Sequence, residues 1–428
     1  MGGSVWDDVI GQPGAVRTLQ RAVQAASALG DLPDDPAERP NGAGTHGAGD
    51  HGAGDHGAGD HDAGDHGAGL TWGGMTHAWL LTGPPGSGRS TAARAFAAAL
   101  QCSRQGCGEC HECRTALAGG HSDVTLLATE HVHLRVDDVR PLVTLAQQRP
   151  SLGRWRVIVI EDADRLNDTS GNLLLKAVEE PPPRTVWVLC APSPDDVLVT
   201  IRSRCRQVGL RVPPVADVAA LLERQHGIDP ALAAFAARAA GSHVGMARRL
   251  ATDEGARIRR REVLKLPEQV TGVGAAVLAA GRLVEVATEE AKAATVERNA
   301  DERAALLRSL GAEGAGSLPP AVRAQVKQLE ENQKRRATRA QRDVLDLSLL
   351  DVLSLYRDVL VVQLGADVDL VNAELATEVE RLAQQSAPED TVRRMDAVGV
   401  ARERIAANVA PLLAVEALMV ELRPGRSR

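Results

Sequence analysis

Uniformly apolar runs of strand length alternate with helix-length segments from residue 78 to about residue 210, and helical periodicity alone fills the remainder of the chain. The runs are Ala78–Leu81, Val124–Leu127, Val157–Ile160 and Val186–Cys190. Strands apolar on both faces and separated by helices predict a parallel sheet covered on each side. Ahead of them, Val16, Leu19, Val23 and Ala26 recur at helical spacing behind the turn pair Pro13-Gly14. Beyond Pro213-Pro214 the strand signals stop, and helices continue with breaks near Gly241, Gly272 to Gly274, Gly311 to Pro320 and Gly365. Both charge signs are dense from Glu285 to Arg342, which predicts a solvated helical arm, and Ile405 to Leu422 returns to an apolar pattern suited to a bundle. The expected organisation is an α/β module over 1–210, a small helical lid over 211–270 and an all-helical domain over 271–428.

Between the first helix and the first strand, residues 31–74 are dominated by a GAGDH repeat with almost no large apolar side chains. Such a segment cannot bury enough surface to offset its ordering entropy, so it is expected to be disordered. Its histidines (His46, His51, His56, His61 and His66) offer at most loose metal ligands; the plainer reading is an inserted loop.

Composition narrows the function classes. The 428 residues are 44% hydrophobic and 25% charged, as in soluble globular proteins, and a formal net charge of −7 argues against blanket electrostatic binding of nucleic acid. No stretch has the apolar length of a membrane span and the N-terminus lacks a signal-peptide pattern, so a cytoplasmic address is expected. In that compartment six cysteines suit metal binding better than disulfides.

Two segments carry phosphate chemistry in form. Gly83-Pro84-Pro85-Gly86-Ser87-Gly88-Arg89-Ser90 lies between a predicted strand and a predicted helix, the context in which glycines turn backbone N–H groups toward a phosphate and the helix N-terminus adds its positive end. The pattern GxxxxGKS/T asks for lysine where Arg89 stands. A planar, forked guanidinium is no substitute for a compact ammonium, so the loop signals the fold and not the chemistry. The run Val157–Ile160 ends in Glu161-Asp162, a Walker B-like pair with its acids in the reverse of the usual order, though solvated acids are also ordinary at the carboxyl end of a strand. Cys102, Cys107, Cys110 and Cys113 (C-x4-C-x2-C-x2-C) can close a tetrahedral four-sulfur site; zinc in a structural role is the natural occupant, and iron–sulfur chemistry the alternative. His111 is at best a spare ligand, and Cys190 and Cys205 are expected to be buried.

Together these residues resemble the bacterial DNA polymerase III clamp-loader family, which includes tau/gamma and delta-prime subunits. Val9-Ile10-Gly11-Gln12 looks like its N-terminal box, Asn172-Leu173-Leu174-Leu175-Lys176 with Glu179-Glu180-Pro181-Pro182 like its NxLLKxLEEPP stretch, and Ser203-Arg204-Cys205 like its SRC motif. The cysteine cluster falls in the family's place with a shorter first spacer. The resemblance covers about Val5 to Leu250 without the repeat and implies an AAA+ P-loop module, a helical lid and an all-α collar. It also implies a hetero-oligomeric ring with tau/gamma-type ATPase subunits and a delta subunit, acting on the sliding clamp and primed DNA. Arg204 would be the finger reaching a neighbour's ATP. Gly245 stands where active members carry a sensor arginine, so with Arg89 and the reversed acids the expectation is a delta-prime-type subunit without its own turnover, ATP and Mg²⁺ being doubtful here. The rivals are an active tau/gamma-like ATPase and a zinc-dependent DNA-binding adaptor.

Overall fold

The computed structural model describes residues 3–30, 74–128, 134–310, 312 and 319–423. The GAGDH repeat and its histidines lie outside them. The chain divides into two compact units, Met1–Asp217 and Val218–Arg428.

In the first unit, α1 (Pro13–Gly30) precedes β1 (Ala78–Thr82), α2 (Arg89–Gln101), α3 (His111–Leu117), β2 (Val124–Leu127), α4 (Val136–Ala146), β3 (Arg156–Ile160), α5 (Asp168–Glu179), β4 (Thr185–Ala191), α6 (Val199–Arg202) and β5 (Arg206–Gly209). The five strands form one parallel sheet in the order β2-β3-β4-β1-β5. Side chains alternate between its faces with the two-residue period of a strand. Trp79, Leu81, Val157, Val159, Val186 and Val188 face α1 and α2, packing on Leu19, Val23 and Phe96. Leu80, Ile158, Ile160, Trp187 and Leu189 face the other way, toward Val139 and Leu142 of α4 and Leu174 and Val178 of α5. Both faces are therefore dry, which is why the strands read as continuous apolar runs. In α2 the run Ala97-Ala98-Ala99 is fully buried: methyl side chains let the helix lie close on the sheet, with Phe96 filling the space edge-on against Trp79, ring centroids 5.2 Å apart.

The α/β expectation is met, with one addition. β5 reads Arg-Gln-Val-Gly and buries only Val208, so it carries no apolar run; it pairs along one edge of β1. The chain leaves β1 into α2 on one face and leaves β4 toward α6 on the other. Adjacent strands whose connections part in this way open a crevice at their carboxyl ends, and the glycine loop sits there.

The second unit is helical. It contains most of α7 (Val215–His226), then α8 (Pro230–Ala239), α9 (Val244–Thr252), α10 (Glu254–Gln269), α11 (Val273–Ser309), α12 (Pro320–Leu364), α13 (Ala376–Gln384), α14 (Pro388–Ala406) and α15 (Pro411–Glu421). Leu345, Leu349, Val352 and Tyr356 stack along one stripe of α12 and meet Val263 of α10, Leu283 of α11, Val398 of α14 and Leu418 of α15. Gly365, at φ 60°, caps the 45-residue α12 where the sequence predicts a break. The charged arm is formed by α11 and α12, joined by ion pairs Arg303–Glu330 at 2.8 Å and Arg336–Glu302 at 2.5 Å. No helix among the described residues is long and apolar enough to cross a membrane.

Candidate functional site

The glycine loop is closed by its own chain. Gly83 has φ 159°, and a Cβ there would stand 2.6 Å from the Leu210 carbonyl oxygen and 2.7 Å from Ser87 Oγ, so only glycine fits. Gly86 is also at positive φ, and Gly88, at φ 88°, is the N-cap from which α2 begins; Ser90 lies in its first turn. Arg89 does not extend outward: its Nη1 donates to the Gly83 carbonyl at 2.6 Å. Gln12 ties the N-terminal segment to this loop, its side-chain amide donating to the Ser87 carbonyl at 3.2 Å while its Oε1 accepts from Arg211 N at 3.0 Å.

Glu161 follows β3 directly, as the sequence pattern requires, and its carboxylate is matched from within. Arg94, five residues beyond Arg89 on α2, donates from Nη2 to Glu161 Oε1 at 2.8 Å and from Nε to the same oxygen at 3.2 Å. Asp162 stands beside it, 4.0 Å from Arg165, and burial raises the nearby Asp164 above the usual carboxylate range. The two acids and the glycine loop thus share the crevice.

The four cysteines meet as their spacing suggests, all four Sγ atoms lying within 4.8 Å of one another. Cys102 caps the end of α2 and Cys110 the start of α3, so the cluster joins two helix ends. Sγ of Cys102 lies 3.6 Å from that of Cys107 and 3.7 Å from that of Cys110. A tetrahedron of thiolates about 2.3 Å from a zinc ion has edges of about 3.8 Å, so the sulfurs fit a metal of that size. Burial opposes charge on Cys107, but backbone N–H groups of Cys110 and Glu109 bring its thiol down to about 6, whereas burial pushes Cys113 up. His111 is exposed at the start of α3. Cys190 is fully buried in β4 and Cys205 half-buried before β5; burial pushes both thiols up to about 12, which leaves them inert.

Arg204 follows α6. Its Nη1 donates to the Thr200 carbonyl at 2.7 Å, its Nη2 lies 2.6 Å from Glu179 Oε1, and 39% of the side chain is exposed. Gly245 lies in the first turn of α9, while Arg249 on the same helix pairs with Glu290 of α11.

Residues 68–214 match a family model described as DNA polymerase III, delta subunit. The delta' subunit of Pseudomonas aeruginosa is 39% identical over 161 residues, 36% of this chain and 49% of that one. Over this segment the chain is similar to DNA polymerase III subunits of the delta-prime type. The Escherichia coli delta' subunit is 36% identical over 155 residues, 35% of this chain and 46% of that one. The gamma/tau subunit of Mycobacterium tuberculosis strain H37Rv is 35% identical over 178 residues, 39% of this chain and 31% of that one. The chain therefore spans at most about half the length of these relatives. A solved gamma-subunit-related protein from Thermotoga maritima superposes with a TM-score of 0.37 at 17% identity, over 81% of this chain and 93% of that one, which adds nothing to the strand order.

Sequence reasoning missed three partnerships within the first unit. Arg94 with Glu161 and Arg204 with Glu179 join residues far apart in sequence; both acceptors lie in motifs, but nothing in those motifs paired them with these arginines. The third is the seating of the N-terminus on the cysteine loop: Val5 N donates to the Gly106 carbonyl at 3.0 Å, and Ser4 Oγ to the same oxygen at 3.1 Å. Gly108, at φ 76°, permits that approach, since a Cβ on it would lie 1.9 Å from the Gly3 carbonyl oxygen. The available signal was the pair Gly106 and Gly108 set among the cysteines, both of which take a positive φ.

Proposed function

We propose that the chain serves as a delta-prime-type subunit of the DNA polymerase III clamp loader, without turnover of its own, and that it lends Arg204 to the ATP of a neighbouring subunit. The observation that carries this reading is the hydrogen bond from Arg89 to the Gly83 carbonyl. An arginine stands where the pattern asks for lysine, and it turns to the loop's own backbone. Glu161 is likewise matched by Arg94, so the pocket's charges are satisfied by the chain itself.

Arg204 is suited to the opposite task. A guanidinium keeps its charge at every relevant pH and offers five N–H donors in a fork, which complements the oxygens of a transferring phosphoryl group. Fingers of this kind accelerate hydrolysis by about 10³–10⁵-fold in other systems. The partners on this reading are tau/gamma-type ATPase subunits and a delta subunit in a ring that places the sliding clamp on primed DNA. Cys102, Cys107, Cys110 and Cys113 would hold a structural Zn²⁺, which cross-links the end of α2 to the start of α3 and takes no part in hydrolysis.

Arg204→Ala in a reconstituted loader tests the reading. Ring assembly by gel filtration should persist while DNA-stimulated ATP hydrolysis falls several-fold; undiminished hydrolysis would sink the finger. Calorimetry of the isolated chain with Mg·ATP should show no saturable heat. Tight binding with turnover would favour the motor role carried by the gamma/tau relatives.

A further inference from the structure

We infer that Glu179 is a positioning residue for Arg204, fixing the direction in which the guanidinium fork leaves the end of α6. This rests on the reading of Arg204 as a finger acting in trans. Glu179 is the last residue of α5, and its Oε1 lies 2.6 Å from Arg204 Nη2. On the other terminal nitrogen, Nη1 donates to the Thr200 carbonyl at 2.7 Å and to Ser203 Oγ at 3.3 Å. One end of the fork is thus held by α6 and the other by α5, and two anchors define a plane where one would leave a swivel. The C-terminal end of α5 adds its partial negative charge on the same side. With five N–H donors on the fork, these contacts leave capacity for an outside acceptor.

Magnitude decides between positioning and locking. Glu179 and Arg204 are 43% and 39% exposed. A pair so accessible to water is worth about two- to fivefold in an equilibrium. A finger's gain from a phosphoryl group is about 10³–10⁵-fold. So weak a contact cannot withhold the arginine from its target. It can narrow the orientations from which the arginine arrives.

The experiment uses the reconstituted loader with primed DNA. Glu179→Ala should lower the DNA-stimulated kcat by about two- to fivefold. KM for ATP should not change, and the deficit should shrink as salt is raised, because an exposed pair is screened. Glu179→Gln, which keeps an acceptor oxygen, should recover part of the loss, and both variants should melt like the parent. In an Arg204→Ala background, Glu179→Ala should have no further effect. A rise in kcat on Glu179→Ala would mean a lock and overturn the positioning role, as would an unchanged rate or an equal loss in the Arg204→Ala background. A silent Arg204→Ala is a separate outcome: it removes the finger itself, whereas an active Arg204 with a silent Glu179 removes only this inference.

Discussion

Replacing Asp123 with Asn should strongly destabilise the first unit, because one carboxylate closes an entire turn. Asp123 is fully buried at the entry to β2. It accepts from the backbone N–H groups of Ser151 at 2.8 Å, Leu152 at 2.8 Å and Gly153 at 2.6 Å, and from Ser151 Oγ at 3.0 Å. Nη1 of the equally buried Arg156 lies 3.0 Å away. Asparagine leaves that guanidinium without its counter-charge and turns an NH₂ group toward backbone donors, at a cost of about 3–5 kcal/mol for a broken buried pair. For a unit of this size that corresponds to a fall in melting temperature of about 6–20 °C. Burial alone would raise the Asp123 carboxyl, but the three backbone donors outweigh it and hold the group down at about 2, against an ordinary 3.8. A depressed acid contributes stability that is present above pH 4 and lost as the pH falls through about 2, a contribution on the order of 2 kcal/mol. Thermal unfolding of the full chain between pH 2 and pH 7, followed by calorimetry, should show that acid-side loss in the parent and a shallower one in Asp123→Asn. A variant within about 1 kcal/mol of the parent at pH 7 would refute the reasoning, since surface substitutions do no more than that.

The cysteine loop yields two further outcomes. A strong chelator should make Cys102, Cys107, Cys110 and Cys113 reactive to a thiol dye while Cys190 and Cys205 stay slow; four thiols already reactive in metal-replete protein would refute ligation. Gly108→Ala should loosen the segment beginning at Gly3, costing about 1–3 kcal/mol for strain at a positive φ. Limited proteolysis near the N-terminus and the melting temperature would report it, and no change in either would show that the contact is dispensable.

Much of the first unit was legible because its physics is local. A strand dry on both faces is written as an apolar run, and Ala78–Leu81 and Val157–Ile160 show it. The four thiols announced themselves by their spacing, and the fold brings all four within 4.8 Å of one another. β5 was illegible for the converse reason: an edge strand that buries only Val208 has three positions free to be polar or glycine. The acceptors of Arg94 and Arg204 lie 67 and 25 residues away, and a carboxylate that answers an arginine across the fold leaves no periodicity behind. Asp123 gave no sign either, as its partners are mostly backbone N–H groups whose convergence is set by the turn at Ser151 to Gly153.

On the proposed reading, the internal contacts at the glycine loop bear on what a subunit of this kind would gain by giving up turnover. In a working pocket the loop's cation and the strand-end acid await phosphate and metal, so the geometry around them depends on what is bound. Here Arg89 is held by Gly83, Glu161 by Arg94, and Gln12 spans from Ser87 to Arg211. On the proposed reading, these contacts would hold the crevice in one arrangement without a nucleotide. Arg211 lies seven residues beyond Arg204, with β5 between them, so the clip at Gln12 fixes the far end of the strand into which α6 leads. On the proposed reading, a finger meant to meet another subunit's phosphate is best mounted on a frame whose shape does not follow its own ligand, and a self-satisfied loop provides such a frame.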